Sequence, residues 1–154
     1  MSHPEAMSEF KAGLDMLRNN FHRQALVHLK KAAELDNANP FYLSYLGLAL
    51  AIVEGRTVEA EDLCYDAVRK QRYQPELYLN LAEVYRLAGK KDDAIETLTG
   101  GLKLTRQDAR LLYALEKLGR RRPPVFSFLD RRNPLNVQLG KLRTQVSGQK
   151  HATR

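Results

Sequence analysis

Apolar side chains return every three to four residues along most of this chain, and Gly, Asn and Pro interrupt the runs at regular intervals. That period belongs to α-helices that bury one face. The clearest run is 75–104. There Leu77, Leu81, Val84 and Tyr85, then Leu87 and Ala88, fall at helical spacing, Gly89 stops the first helix, and Ala94, Ile95, Leu98 and Leu102 resume the period. It is one helix–turn–helix unit. Upstream, His3-Pro4-Glu5 opens a first helix, with Pro in the first turn and an acid near the positive end of the helix dipole, and Met7, Phe10, Leu14 and Leu17 line one face. Asn19-Asn20 turns the chain into a second helix, 21–35, with Ala25, Leu26, Leu29, Ala32 and Ala33 inward. Asn39-Pro40 opens a third that runs to about Glu54 and breaks at Gly55-Arg56. Thr57 reads as the N-cap of a fourth, with Glu59, Glu61 and Asp62 in its first turns. Asp108 caps a seventh, 109 to about 119, with Leu111, Leu112, Leu115 and Leu118 inward. No stretch of this body alternates as a strand would, so the expected fold class is all-α.

The helices repeat. Gly13, Gly47 and Ala82 stand 34 and 35 residues apart, Ala25, Ala60 and Ala94 stand 35 and 34 apart, and Ala32, Ala67 and Gly101 follow the same offsets. Small residues recur like this where two helices cross so closely that nothing beyond Cβ fits. Between them, large or sulfur-bearing residues, Leu29, Cys64 and Leu98, take equivalent places. This small–large–small order at a period of 34 resembles the tetratricopeptide repeat. The resemblance implies a right-handed superhelix of antiparallel helix pairs over residues 5–119: three repeats, about 5–38, 39–73 and 74–107, and a solvating cap helix at 109–119. Residues 120–154 form a tail beyond it. The chain departs from the family pattern in places. Glu9, Leu43 and Tyr78 stand where an aromatic is expected near the start of each first helix, and Asn37, Arg72 and Arg106 replace the usual proline after each second helix. Gly100-Gly101 is costly inside a helix, about 1 kcal/mol per glycine relative to Ala. The crossing explains Gly101; nothing in the sequence explains Gly100.

In this family the first helix of each pair lines a concave face. The resemblance therefore nominates a peptide groove at Met7, Phe10, Leu14, Leu17 and Arg18, then Phe41, Tyr45, Leu48 and Ile52, then Glu76, Leu79, Asn80, Glu83 and Arg86, with Tyr113 and Lys117 from the cap. A peptide-binding variant of the family grips a terminal carboxylate with Lys and Asn in repeat one, Asn in repeat two, and Lys and Arg in repeat three. Here those places hold Phe10, Leu14, Tyr45, Glu76 and Asn80, which argues against such a clamp. Phe10, Leu14, Phe41, Tyr45 and Leu48 have two readings, interhelix core or an apolar groove. A contiguous apolar groove of that size points to a binding site.

Composition narrows the chemistry. With 154 residues, 44% apolar and 28% charged, the chain suits one soluble domain with a real core. No apolar run reaches the roughly 20 residues of a membrane span, and the N-terminus lacks the order of a secretory signal, so the expected compartment is the cytoplasm. The single cysteine, Cys64, excludes an internal disulfide framework and reads as a buried structural thiol. His3, His22, His28 and His151 lack metal-motif spacing, and His22 and His28 read as surface or satisfied residues. Asp92-Asp93 suits a helix dipole. There is no phosphate-binding glycine loop and no distinctive carboxylate pair, so no catalytic residue, cofactor or metal is expected and the chain is not read as an enzyme.

The net charge of +7 is localised. Residues 1–119 carry 16 Lys/Arg against 17 Asp/Glu, net −1, whereas 120–154 carry 9 against 1, net +8. Arg120, Arg121 and Arg122 with Pro123-Pro124 end the cap helix, and Arg131 and Arg132 continue the basic patch. Val125, Phe126, Phe128 and Leu129 fall within five residues, which argues that this segment packs on the repeat array, in cis or in a swapped dimer. After Asn133-Pro134, Leu135, Leu139, Leu142 and Val146 outline a short helix, 134–146, with Lys141 and Arg143 on its polar side. It reads as a helix docking on the domain or as an arm for an anionic membrane surface, nucleic acid or acidic partner. No aromatic is interleaved with the arginines as a nucleic-acid stacking platform requires. The expected function is a protein–protein adaptor holding a peptide or helix of a partner protein in the concave groove. Two alternatives stand beside it: a small chaperone for an apolar client segment, like the three-repeat chaperones of bacterial secreted proteins, and an electrostatic tether working through the basic tail.

Overall fold

Pro4, Pro40 and Pro75 each take the first position of a helix, where the missing N–H costs nothing and the fixed φ suits the helix. In the computed structural model, which describes residues 3–119, seven helices follow in order: α1 (Pro4–Arg18), α2 (His22–Leu35), α3 (Pro40–Glu54), α4 (Thr57–Lys70), α5 (Pro75–Leu87), α6 (Lys91–Leu104) and α7 (Ala109–Leu118). All lie in one unit, Met1–Leu118, and no strand occurs among the described residues. Two caps are made by side chains. Asn39 Oδ1 accepts from the Phe41 N–H at 3.0 Å, and Asp108 Oδ1 accepts from the Arg110 N–H at 2.9 Å. The cap expected at Thr57 falls one residue earlier: Arg56 takes the cap position without a side-chain hydrogen bond, and Thr57 is already helical. Phe21 likewise caps α2 rather than joining it. Gly55 and Gly89 end α3 and follow α5 at φ +66° and +75°, the left-handed region in which a side chain is strained.

The repeated small residues sit at the crossings. A Cβ on Gly13 would lie 2.7 Å from Leu29 Cγ, one on Gly47 2.9 Å from Cys64 Sγ, and one on Gly101 2.7 Å from Tyr78 Cγ. Ala25, Ala32, Ala60, Ala67 and Ala94 are fully buried, as are Leu29, Cys64 and Leu98 at the equivalent large positions. The 34-residue period is therefore a packing period: each pair, α1/α2, α3/α4 and α5/α6, closes on its own small–large–small set. Gly100 differs, with nothing within 4 Å of where its Cβ would be. Between pairs, α2 packs on α3 and α4 on α5, while α3, α5 and α7 lie side by side and form one face. The result is an all-α solenoid of antiparallel helix pairs closed by a single helix.

Candidate functional site

The face formed by α3, α5 and α7 changes character along its length. Towards the start of α5 it is polar. Tyr45 of α3 donates its hydroxyl to Glu76 of α5, and burial, more than the neighbouring carboxylate, pushes the phenol above its ordinary range. Behind them lies a buried polar chain. Asn80 Nδ2 donates to Ser44 Oγ at 3.1 Å, and the Cys64 thiol donates to the Ser44 carbonyl at 3.2 Å. Ser44 is fully buried and Asn80 nearly so, and burial pushes the Cys64 thiol up to about 12. Two helix pairs are thus tied together by buried side chains that satisfy one another. On α7, Arg110 is held by Asp108 at 3.1 Å and faces the Glu76 carboxylate.

Towards the end of α5 the face opens into a pocket of about 430 Å³ between α5 and α7. Its floor is apolar: Leu79, Ala82, Leu98, Ala114 and Leu118, with Leu98 fully buried beneath. Its rim is charged: Glu83, Arg86 and Lys117. Alanines on the facing helices make this space, since Ala82 and Ala114 leave unfilled what longer side chains would occupy. Arg86 grips Glu83 one turn away with two hydrogen bonds, 2.8 Å from Nε and 2.7 Å from Nη2.

Of the nominated groove residues, Leu79, Glu83, Arg86 and Lys117 line this pocket together. The others are distributed differently. The Phe10 ring packs tilted against Tyr42 at 4.7 Å and edge-on to Tyr45 at 5.4 Å, and Leu17 packs into the same cluster with Leu26, Leu29 and Leu50. Phe41 packs with Tyr42 and Ala33, and Leu48 with Ala51 and Val84. These side chains join the helices of successive repeats. Met7 is exposed and Leu14 half-buried. Ile52 lines a separate pocket of about 370 Å³ beside Phe21, His22 and Val53. Tyr113 is 68% exposed and does not line the α5–α7 pocket. Sequence reasoning missed Ala82, Leu98, Ala114 and Leu118 as pocket residues; the signal for the two alanines is small residues on the facing helices α5 and α7.

A seven-helix solenoid with a repeated crossing motif invites comparison with known families, and the tetratricopeptide repeat pattern matches residues 51–118. The chain has a tetratricopeptide-repeat fold. Its fold is similar to that of known tetratricopeptide domains at low identity. The first such domain of Spaghetti (RPAP3), bound to the HSP90 peptide SRMEEVD, is 18% identical, with 77% of this chain and 93% of that one covered and a TM-score of 0.63. The Sgt2 domain from Aspergillus fumigatus is 18% identical over 86% of this chain and 93% of that one, with a TM-score of 0.66. A T3SS complex from Aeromonas hydrophila is 17% identical over 77% and 78%, with a TM-score of 0.60. No curated protein matches the chain by sequence.

Elsewhere in the solenoid, His28 Nδ1 donates to Glu9 Oε2 at 2.7 Å, whereas His22 Nδ1 is buried without a hydrogen-bond partner, against the expectation that both histidines are surface or satisfied. Among the described residues no cluster of three or more His, Cys, Asp or Glu could hold a metal ion, and no helix is long and apolar enough to cross a membrane. The expected docking segment Val125, Phe126, Phe128 and Leu129, the basic patch Arg120, Arg121, Arg122, Arg131 and Arg132, and the 134–146 helix lie outside the described residues.

Proposed function

We propose that this protein is an adaptor that holds a peptide or helix of a partner protein against the α3–α5–α7 face, anchored by an apolar side chain in the α5–α7 pocket. The observation that carries the reading is the pocket itself. Its floor of Leu79, Ala82, Ala114 and Leu118 is apolar, its volume of about 430 Å³ admits a large side chain, and charged groups rim it. Burying one Leu or Phe side chain there supplies roughly 1.5–3 kcal/mol. Short peptides bind grooves in this way, with a few anchors giving affinity and the rim giving register. Tetratricopeptide neighbours that hold HSP90 and HSP70 peptides are consistent with peptide binding as the mode.

The peptide class differs from theirs in this proposal. The five places that would grip a terminal carboxylate hold Phe10, Leu14, Tyr45, Glu76 and Asn80, of which Phe10 packs against tyrosines, Glu76 accepts from Tyr45 and Asn80 is buried. None presents a cation. Selection of random displayed peptides on the full-length chain, repeated on Leu79→Asp and Ala114→Leu, tests the reading. Peptides with a large apolar residue should be recovered on the native chain and bind both variants at least tenfold more weakly. Peptides that bind all three proteins equally place the site elsewhere.

A further inference from the structure

The charges on the pocket rim do not balance. Glu83 and Arg86 satisfy each other through two short hydrogen bonds, so this pair offers a ligand little net charge. Lys117 stands across the pocket on the last turn of α7, exposed, with no ion pair or hydrogen bond among the described residues. The cavity therefore has an apolar floor and one uncompensated cation at its edge. From this, and resting on the adaptor reading above, we infer that the partner segment carries an Asp or Glu within about one helical turn of its apolar anchor, and that Lys117 reads that carboxylate. An acidic side chain is recognised here internally in the chain, beside the anchor, and not as a terminal carboxylate.

The geometry favours this class over a basic segment. A cation beside the anchor meets Lys117 directly and finds Glu83 already occupied by Arg86. A neutral segment gains the apolar burial alone. Because the pair with Lys117 lies at an exposed rim, it sets preference and register more than affinity, and its effect is salt-sensitive.

The test is the random peptide selection on the full-length chain, run in parallel on Lys117→Glu. Lys117 points from the exposed side of α7, so the substitution leaves the core untouched. The inference predicts that peptides from the native chain are enriched in Asp or Glu within four residues of the anchor, and that they bind Lys117→Glu about fivefold more weakly, with the difference shrinking in high salt. Selection on Lys117→Glu should return Lys or Arg at the same place. Anchored peptides that still depend on Leu79 but show no acidic enrichment overturn this inference and leave the adaptor reading standing. Peptides independent of both Leu79 and Lys117 overturn the two together.

Discussion

Tyr78 lies over Gly101 so closely that a Cβ on the glycine would come within 2.7 Å of the ring. The ring has no room to retreat, since Tyr78 is 6% exposed and its hydroxyl donates to the Arg72 carbonyl at 2.9 Å. Gly101→Ala should therefore destabilise the domain by about 1–3 kcal/mol, the usual cost of overpacking. Its neighbour separates this effect from helix propensity. A Cβ on Gly100 meets nothing within 4 Å, so Gly100→Ala should stabilise by up to about 1 kcal/mol. Urea unfolding of the two variants checks the pair, and equal shifts of the same sign refute the crossing as the reason for Gly101.

The Ser44–Asn80 bond joins α3 to α5 in the interior. Removing one partner strips the other of a buried hydrogen bond, which costs about 1–3 kcal/mol. Asn80→Leu should lose stability by that amount, and Ser44→Ala combined with Asn80→Leu should lose less than the two single changes added together. Additive losses in a double-mutant cycle refute the coupling.

Much of this architecture was legible in the residues, and the reason is steric. Crossings demand small side chains, so Gly13, Gly47, Ala82 and Gly101 mark each pair, and every one is buried at an interhelix contact. Helix starts were equally plain at Pro40 and Asp108, because a cap is a local interaction. Arg56 was not recognised as a cap because its side chain makes no capping bond. The candidate site was legible only at one end. Leu79, Glu83, Arg86 and Lys117 fall together because helical spacing on α5 and α7 puts them on the shared face. Phe10, Tyr45 and Leu48 sit on equivalent faces of α1 and α3, yet they pack between repeats, and how closely two helices approach is not written in the spacing of either one. The Tyr45–Glu76 bond, spanning 31 residues between two helices, had no local signal at all.

Cys64 gives the domain a signature in alkali. Burial pushes its thiol up to about 12, whereas an unfolded chain ionises near 8.5. Between those values the folded state binds more protons than the unfolded one, so stability is retained below about pH 8.5 and lost as pH rises towards 12. The thiol should also resist thiol reagents at pH 8 until the chain unfolds. Cys64→Ala, although less stable overall, should show a shallower loss between pH 8.5 and 10. An unchanged slope in chemical denaturation across that range contradicts this assignment.

Glu76 takes a place where carboxylate-gripping relatives present a cation, and it is already engaged by Tyr45. The terminal carboxylate of the peptide SRMEEVD should therefore add nothing to any binding by this chain, and the free acid and the C-terminal amide should behave alike in calorimetry. Tighter binding of the free acid than of the amide contradicts this account of the polar half of the face.

The central claim is that partners seat on the α5–α7 pocket, and nuclear magnetic resonance mapping of the full-length chain with a selected peptide tests it most directly. The account predicts that the largest shift changes fall on Leu79, Ala82, Ala114 and Leu118, with Val27, Val58 and Tyr65 on other exposed surfaces unmoved. Changes centred on those three residues, with the pocket unmoved, contradict it.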